Sequence, residues 1–219
     1  CLAEWSGRMN PRIVWGIGSA RAFRVHWALH ELGLDYETKL VRTRTPAMDT
    51  PEFQAISPRK KIPVFEDGDL TLFESAAIIN YLARTYGEGD RQLIPSDPAD
   101  RAHCDEWCYF VAMVLDATSL YVIRRHGDLP EIYGDAPAAV ECAAEYFARQ
   151  IMVPEQKLSD KREFILGSAF SIADVMLTSC VTWAIRYGQP VPDRLISYRK
   201  SVVARPAYQA AFAVCYPDL

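Results

Sequence analysis

Four short stretches of the chain carry residue types that can do chemistry. The first is Gly18-Ser19-Ala20-Arg21, between an apolar run and a helical one. A hydroxyl at such a turn can donate a hydrogen bond to an incoming anion. The helix start adds unpaired N–H groups and the positive end of a dipole, and Arg21 and Arg24 add charge. Helix starts and nearby cations pull a thiol pKa of ~8.5 down to roughly 3.5–7.5, so the turn suits a thiolate. Serine is also a common N-cap, so a purely structural role stays open on the residues alone.

The second stretch is Lys61-Ile62-Pro63-Val64. Proline cannot donate to a strand ladder. A cis bond at Pro63 would turn a backbone edge outward, and Ile62 N–H and C=O could pair with a peptide-like ligand. An ordinary edge-strand proline is the alternative. The third is Phe73-Glu74-Ser75. A hydroxyl and free N–H groups at a helix start suit a carboxylate, and Glu74 suits an amino group. Together they fit the α-amino-acid end of a ligand, against the alternative of a plain helix cap. The fourth, Ser171-Ile172-Ala173-Asp174, has the spacing of a capping box and points to folding.

Other groups carry less. His26 and His30 stand four apart, but no third ligand is evident, so no metal is expected. Cys104 and Cys108 share that spacing and read as core residues. Asp116 interrupts an apolar helix, where an acid is costly unless paired. It either lines a pocket or pairs structurally. Trp107, Tyr109 and Met113 are candidates for the wall of a second-substrate pocket.

These residues need elements to hold them. Arg12 to Ile17 reads as a buried strand, and Ser19 opens a helix with Ala22, Val25, Leu29 and Leu32 on one face. Gly33 is placed to end it. Asp35 to Val41 alternates as a half-buried strand, and Pro51 can start a short helix. Ile62 to Phe65 and Leu70 to Phe73 are strands around an Asp67-Gly68 turn. Ser75 then caps a helix with Ile78, Ile79, Leu82 and Tyr86 on one face, ended by Gly87 and Gly89. The order β-α-β-α-β-β-α implies a small mixed sheet, its first two strands parallel and its hairpin antiparallel. After residue 90 the pattern is helical: 99–126 as a long helix or pair, Pro137 to Leu158, an almost wholly apolar Ile172 to Tyr187, then 193–203 and 206–213. The expected units are 10–87, a polar linker 88–98, and 99–219.

Composition sets the frame. The 219 residues are 50% hydrophobic and 24% charged, an ordinary globular balance for one large or two small domains. A formal net charge of −4 argues against a general nucleic-acid surface, while leaving room for a local basic pocket. The six scattered cysteines form no C-x-x-C and suit a reducing compartment. The start shows no apolar signal segment. The uncharged run Trp107 to Leu115 is far short of the ~20 residues that span a bilayer, so no membrane partner is expected. Met9 is a plausible start, with Cys1 to Arg8 as an extension.

Taken together, the motifs resemble the cytosolic glutathione transferase family from Arg12 onward. S-A-R-A-F-R-V-H-W-A-L-H-E-L-G-L-D-Y-E, from Ser19, is similar to its first βαβ segment. K-I-P-V-F-E-D-G and L-F-E-S-A-A-I-I-N-Y-L look like its glutathione-binding half. L-I-P-S-D-P-A-D-R-A, G-S-A-F-S-I-A-D and A-R-P-A-Y match its linker, helical-domain cap and tail.

The resemblance implies a thioredoxin-like N-terminal domain followed by an all-helical one, glutathione as co-substrate, no metal, a cytoplasmic homodimer, and detoxification of a small hydrophobic electrophile. It places Ser19 at the hydroxyl that stabilises the thiolate in the serine-type classes (tau, phi, zeta). Pro63 matches the family's cis-proline, and Ile62 the residue whose backbone pairs with the cysteinyl unit. Glu74 and Ser75 match the pair that holds the γ-glutamyl end, and Lys61 lies near the glycyl end. The chain departs from the cysteine-type classes, with no cysteine at 18 to 23, and from the zeta-type S-S-C run, since Ala20 and Arg21 follow Ser19. No tyrosine lies in the first strand or turn, and Ala22 stands where many bacterial relatives carry a second hydroxyl. A specialised dehalogenase, ether-cleaving enzyme or isomerase, and a non-catalytic glutathione-binding scaffold, are the alternatives.

Overall fold

The computed structural model describes residues 11–218. The readings of Met9 and of Cys1 to Arg8 lie outside the described residues. Four strands form one mixed sheet in the order β2-β1-β3-β4. They are β1 (Ile13–Trp15), β2 (Glu37–Lys39), β3 (Val64–Asp67) and β4 (Leu70–Phe73). β1 runs parallel to β2 and antiparallel to β3, and β3 and β4 form a hairpin. The chain therefore makes the expected thioredoxin-like sheet, followed by helices. The strands are shorter than the apolar runs suggest. The third starts at Val64, not at Ile62, because Pro63 has no N–H to offer a ladder. In the hairpin Asp67 still pairs with Leu70, so Gly68-Asp69 is the two-residue loop, with Gly68 at φ 62°.

Helix α1 (Ala20–Leu32) crosses from β1 to β2 and ends on Gly33 in the left-handed region at φ 64°. Its expected face is buried, and so are Phe23, Arg24, His26, Trp27 and Ala28. The extra burial arises because α1 is enclosed by the sheet, by α3 (Ser75–Tyr86), and by α7 (Ile172–Arg186) and α9 (Pro206–Cys215) of the helical part. The short α2 (Pro51–Ile56) opens at Pro51, and the Thr50 hydroxyl accepts from Phe53 N–H.

Helix α4 is one rod, Pro98–Asp128. Asp97 caps it by accepting from the Ala99 and Asp100 N–H groups, and Pro98 supplies a fixed φ at the first position. From Val111 its turns widen: Tyr121 N–H reaches back five residues to the Asp116 carbonyl. Wide turns of this kind gather at functional sites. With a mean hydropathy of 1.3 over its most apolar stretch, α4 is long and apolar enough to cross a membrane, contrary to the reading of Trp107 to Leu115 alone. In this fold its apolar side, with Cys104, Cys108, Val111 and Leu115, is buried against α7 and α5 (Pro137–Gln150). The predicted single helix to Leu158 breaks after Gln150, and α6 (Met152–Lys157) follows. Pro154 lacks the N–H that would bond the Gln150 carbonyl.

Helix α7 lies at the centre, buried from Ile172 to Val181. Its capping box is present: Ser171 N–H and Oγ–H donate to Asp174 Oδ2 at 2.9 Å each. Asp174 Oδ1 also accepts from Ile165 N–H at 2.8 Å and Tyr198 O–H at 2.7 Å. Helix α8 (Asp193–Val203) supplies that tyrosine.

Candidate functional site

Ser19 occupies the N-cap of α1, its backbone extended at φ −138°, ψ 148°. Its Oγ accepts from Ala22 N–H at 3.1 Å, and its own proton has no acceptor among the described residues. The hydroxyl thus caps the helix and keeps a donor for a ligand, so the two readings of Ser19 are compatible. The turn is held from three sides. Gly18 N–H donates to the Cys215 carbonyl at 2.8 Å, tying it to α9. Gly16, at φ 129°, lies so close to Ile62 that a Cβ there would sit 2.7 Å from Ile62 Cβ. From inside, His26 bonds the Gly16 carbonyl at 2.9 Å and the Tyr36 hydroxyl at 3.0 Å. A carbonyl only accepts, so His26 Nε2 carries the proton and Nδ1 takes the one from Tyr36. Burial pushes the His26 pKa down to about 4 despite the Gly16 bond, so the ring is neutral. Both its nitrogens are thereby engaged.

The Ile62–Pro63 peptide is cis. The Ile62 N–H and C=O find no partner among the described residues, since the ladder begins at Val64. Ser57 fixes the approach: its hydroxyl donates to the Lys61 carbonyl at 3.0 Å and accepts from Lys61 N–H at 3.2 Å. Ser19, Lys61 and Ile62 come together in one cleft of about 780 Å³ between the sheet part and the helical part. Pro63, Glu74 and Ser75 do not line it. Glu74, exposed and at φ 65°, takes the N-cap position of α3 and meets Arg59 at 3.3 Å. Ser75 was expected to cap α3; it is instead the helix's first residue, and its hydroxyl is buried and accepts from Arg24 Nη1 at 3.3 Å. A buried guanidinium must find acceptors, and this one takes the hydroxyl from the cap.

Arg24 is a residue that sequence reasoning missed as an internal group. It is 1% exposed, bonded to Ser179 Oγ at 2.7 Å and to Asp116 Oδ2 at 2.9 Å. Arg21 grips the same carboxylate from the cleft at 2.6 Å. Asp116 is thus the paired acid of the two alternatives. Burial alone would raise its pKa, but the Arg24 and Arg21 charges outweigh this and hold it below the ordinary carboxylate value.

The residues expected at a second-substrate wall do not line this cleft. Tyr109 and Met113 are 67% and 61% exposed, outside the cleft, and Trp107 faces a different hollow. α4 turns that side away; its far end, with Tyr121, Arg124 and Arg125, forms the wall. Trp183, Tyr208, Phe212 and Tyr216 complete it. The sequence signal was the Arg124-Arg125 pair closing an apolar helix. The cysteine nearest the turn, Cys215, has its thiol raised to about 11 by burial, which leaves it protonated and unreactive near neutral pH.

Comparison with known proteins places this fold and its cleft. Residues 10–84 match the family model of the glutathione S-transferase N-terminal domain. Glutathione S-transferase 3 of Zea mays is 30% identical over 94% of this chain and 95% of its own. A Burkholderia graminis glutathione transferase, solved with two glutathione molecules per subunit, is 29% identical, covers 95% of this chain and 89% of its own, and superimposes with a TM-score of 0.77. A delta-class glutathione transferase of Nilaparvata lugens gives 26% identity, 92% coverage of both chains and a TM-score of 0.79. The chain belongs to the glutathione transferase family.

Proposed function

We propose that the protein is a glutathione transferase that holds the glutathione thiolate at Ser19 for attack on a small hydrophobic electrophile. The observation that carries this reading is the Ser19 hydroxyl, capped from below and free to donate, facing one cleft with the unpaired Ile62 backbone. The tripeptide's cysteinyl unit pairs with Ile62 N–H and C=O beside Pro63. Lys61 serves the glycyl carboxylate. Glu74 and the Ser75 N–H, at the start of α3 and outside the lining of the cleft, take the γ-glutamyl amino group and carboxylate as the ligand extends past Ile62, the Ser75 hydroxyl being engaged with Arg24. The Burkholderia graminis relative, crystallised with glutathione, supports the ligand.

In the reaction the sulfur loses its proton to solvent as the Ser19 O–H and the first-turn N–H groups of α1 stabilise the anion. The thiolate forms a bond to the electrophilic carbon, and the leaving group departs with its electron pair. Positioning and preorganised donors supply the acceleration. The units of this reading are 10–87 for glutathione, 88–98 as linker and 99–219 for the electrophile. A cytoplasmic homodimer belongs to it too, so light scattering is expected to give twice the 24.7 kDa chain mass. Glutathione-dependent dehalogenation, ether cleavage or isomerisation would use the same first half, and a substrate panel separates them.

The test is the ultraviolet absorbance of the thiolate in the glutathione complex against pH. The midpoint is expected at least about one unit below the ~8.5 of a free thiol, and Ser19→Ala is expected to move it back up. A midpoint unchanged by Ser19→Ala removes the hydroxyl from the mechanism.

A further inference from the structure

The whole chain is net negative at −4, yet the cleft that holds Ser19 is lined by eight arginine and lysine residues and one carboxylate, Asp128. Lys60 is committed to Asp49 and Arg21 to Asp116, neither acid lining the cleft. Lys61 and Arg44 stand on the sheet side, by the expected glycyl end of glutathione. The helical side is different. Arg124 and Arg125 at the end of α4, and Arg186 at the end of α7, make no ion pair among the described residues. Asp128 is close by but accepts from the Tyr187 hydroxyl at 2.8 Å and pairs with none of them.

Arg125 is the most telling. Its guanidinium lies over the Tyr133 ring at 4.4 Å and near the Tyr121 ring at 5.8 Å. Its Nε is buried with no hydrogen-bond partner among the described residues. A buried donor without an acceptor is costly, and a second-substrate pocket built only for neutral hydrocarbons gains nothing from it. An anion arriving in the cleft supplies the missing acceptor. A planar guanidinium suits an anion with paired oxygens, such as a carboxylate or sulfonate, because two N–H bonds can run in parallel. The same cleft is rich in aromatic side chains, among them Tyr121, Trp183, Tyr208, Phe212 and Tyr216. Flat rings stack there and leave the acid at one edge.

We infer that the electrophile is an aromatic compound bearing a carboxylate or sulfonate, its ring on the aromatic wall and its anion on Arg124, Arg125 and Arg186. This rests on the proposed function and narrows its substrate. For a ring-activated aryl chloride, the S–C bond forms at the carbon that carries chlorine. The C–Cl bond then breaks and chloride leaves with the electron pair, so no oxidant or reductant is needed.

The test uses calorimetry on the full chain with three probes. They are glutathione, its dinitrophenyl conjugate, and the same conjugate with a carboxylate on the ring. The carboxylated conjugate is expected to bind at least about tenfold more tightly than the neutral one, the gain of one charge-assisted contact. The advantage is expected to shrink with rising salt and to fall severalfold in Arg125→Gln. Arg186→Gln, at an exposed position, gives a second variant with the same expected loss. Equal affinities for the two conjugates, with glutathione bound, overturn the inference and leave the proposed function standing. An advantage unaltered in both variants overturns the assignment to these arginines. No binding of glutathione overturns both readings.

Discussion

At the scale of single residues, the chemistry of this protein depends on groups whose charge is fixed by burial. His26 is fully buried under the Ser19 turn, and burial, the largest influence, lowers its pKa from 6.5 to about 4. The unfolded chain therefore binds a proton between pH 6.5 and 4 that the folded chain refuses. Stability rises with pH across that window and is lost as pH falls through it. The shift corresponds to about 3 kcal/mol. Urea unfolding from pH 7 to pH 4 is expected to show a loss of that order, and His26→Gln, which keeps a donor for the Gly16 carbonyl, is expected to flatten the curve. An unaltered slope in His26→Gln would mean that other groups control it. The helix cap at Ser19 and the break in the strand at Pro63 were legible from residue type and neighbours alone. His26 and Arg24 were not, because a polar side chain on a helix is usually solvated. Nothing local says that these two point inward; only the helices that close over α1 make it so.

At the scale of elements, caps and close approaches decide where the functional atoms stand. Asp174 receives four hydrogen bonds, from Ser171 N–H and hydroxyl, Ile165 N–H and the Tyr198 hydroxyl. Asp174→Ala would strand buried donors and is expected to cost about 3 kcal/mol in urea unfolding, while Ser171→Ala is expected to cost about 1 kcal/mol. Equal losses would show that the acid does no more than cap. This motif was readable because capping is a short-range pattern. So were the strand directions, parallel for the first pair and antiparallel for the hairpin, since crossover handedness limits the choices. The wide turns after Val111 and the stop at Gln150 were not, the first being set by packing and the second by one proline. The Gly16–Ile62 approach is equally invisible, joining residues far apart in sequence. Gly16→Ala puts a Cβ 2.7 Å from Ile62 Cβ at a φ of 129°. Ile62 must then move from the Ser19 turn, and KM for glutathione is expected to rise severalfold in steady-state assays while Tm falls. An unchanged KM would show that the two strands flex apart at no cost to binding.

At the scale of the whole molecule, the sheet part and the helical part meet on one buried ion cluster. Arg24 reaches from α1 to Ser75 on α3, Asp116 on α4 and Ser179 on α7, and Arg21 joins Asp116 from the cleft. Breaking a buried pair leaves one charge uncompensated, whereas replacing both partners with apolar groups of similar size is often neutral. Arg24→Met and Asp116→Leu are each expected to lower unfolding free energy by about 3 kcal/mol, and the double variant to recover most of that loss. Singles that cost under about 1 kcal/mol, or a double no better than the worse single, would mean that the cluster is hydrated and does not join the two parts. Recovery of stability is not expected to restore binding. Without Asp116 the Arg21 guanidinium, stacked 4.3 Å over the Tyr121 ring, loses the anchor that fixes it in the cleft it shares with Ser19. Calorimetry on the double variant is therefore expected to show weakened glutathione binding in a protein as stable as the parent. That separation identifies the ion cluster as a device for positioning the cleft; equal loss of both, or of neither, would make it a structural joint alone.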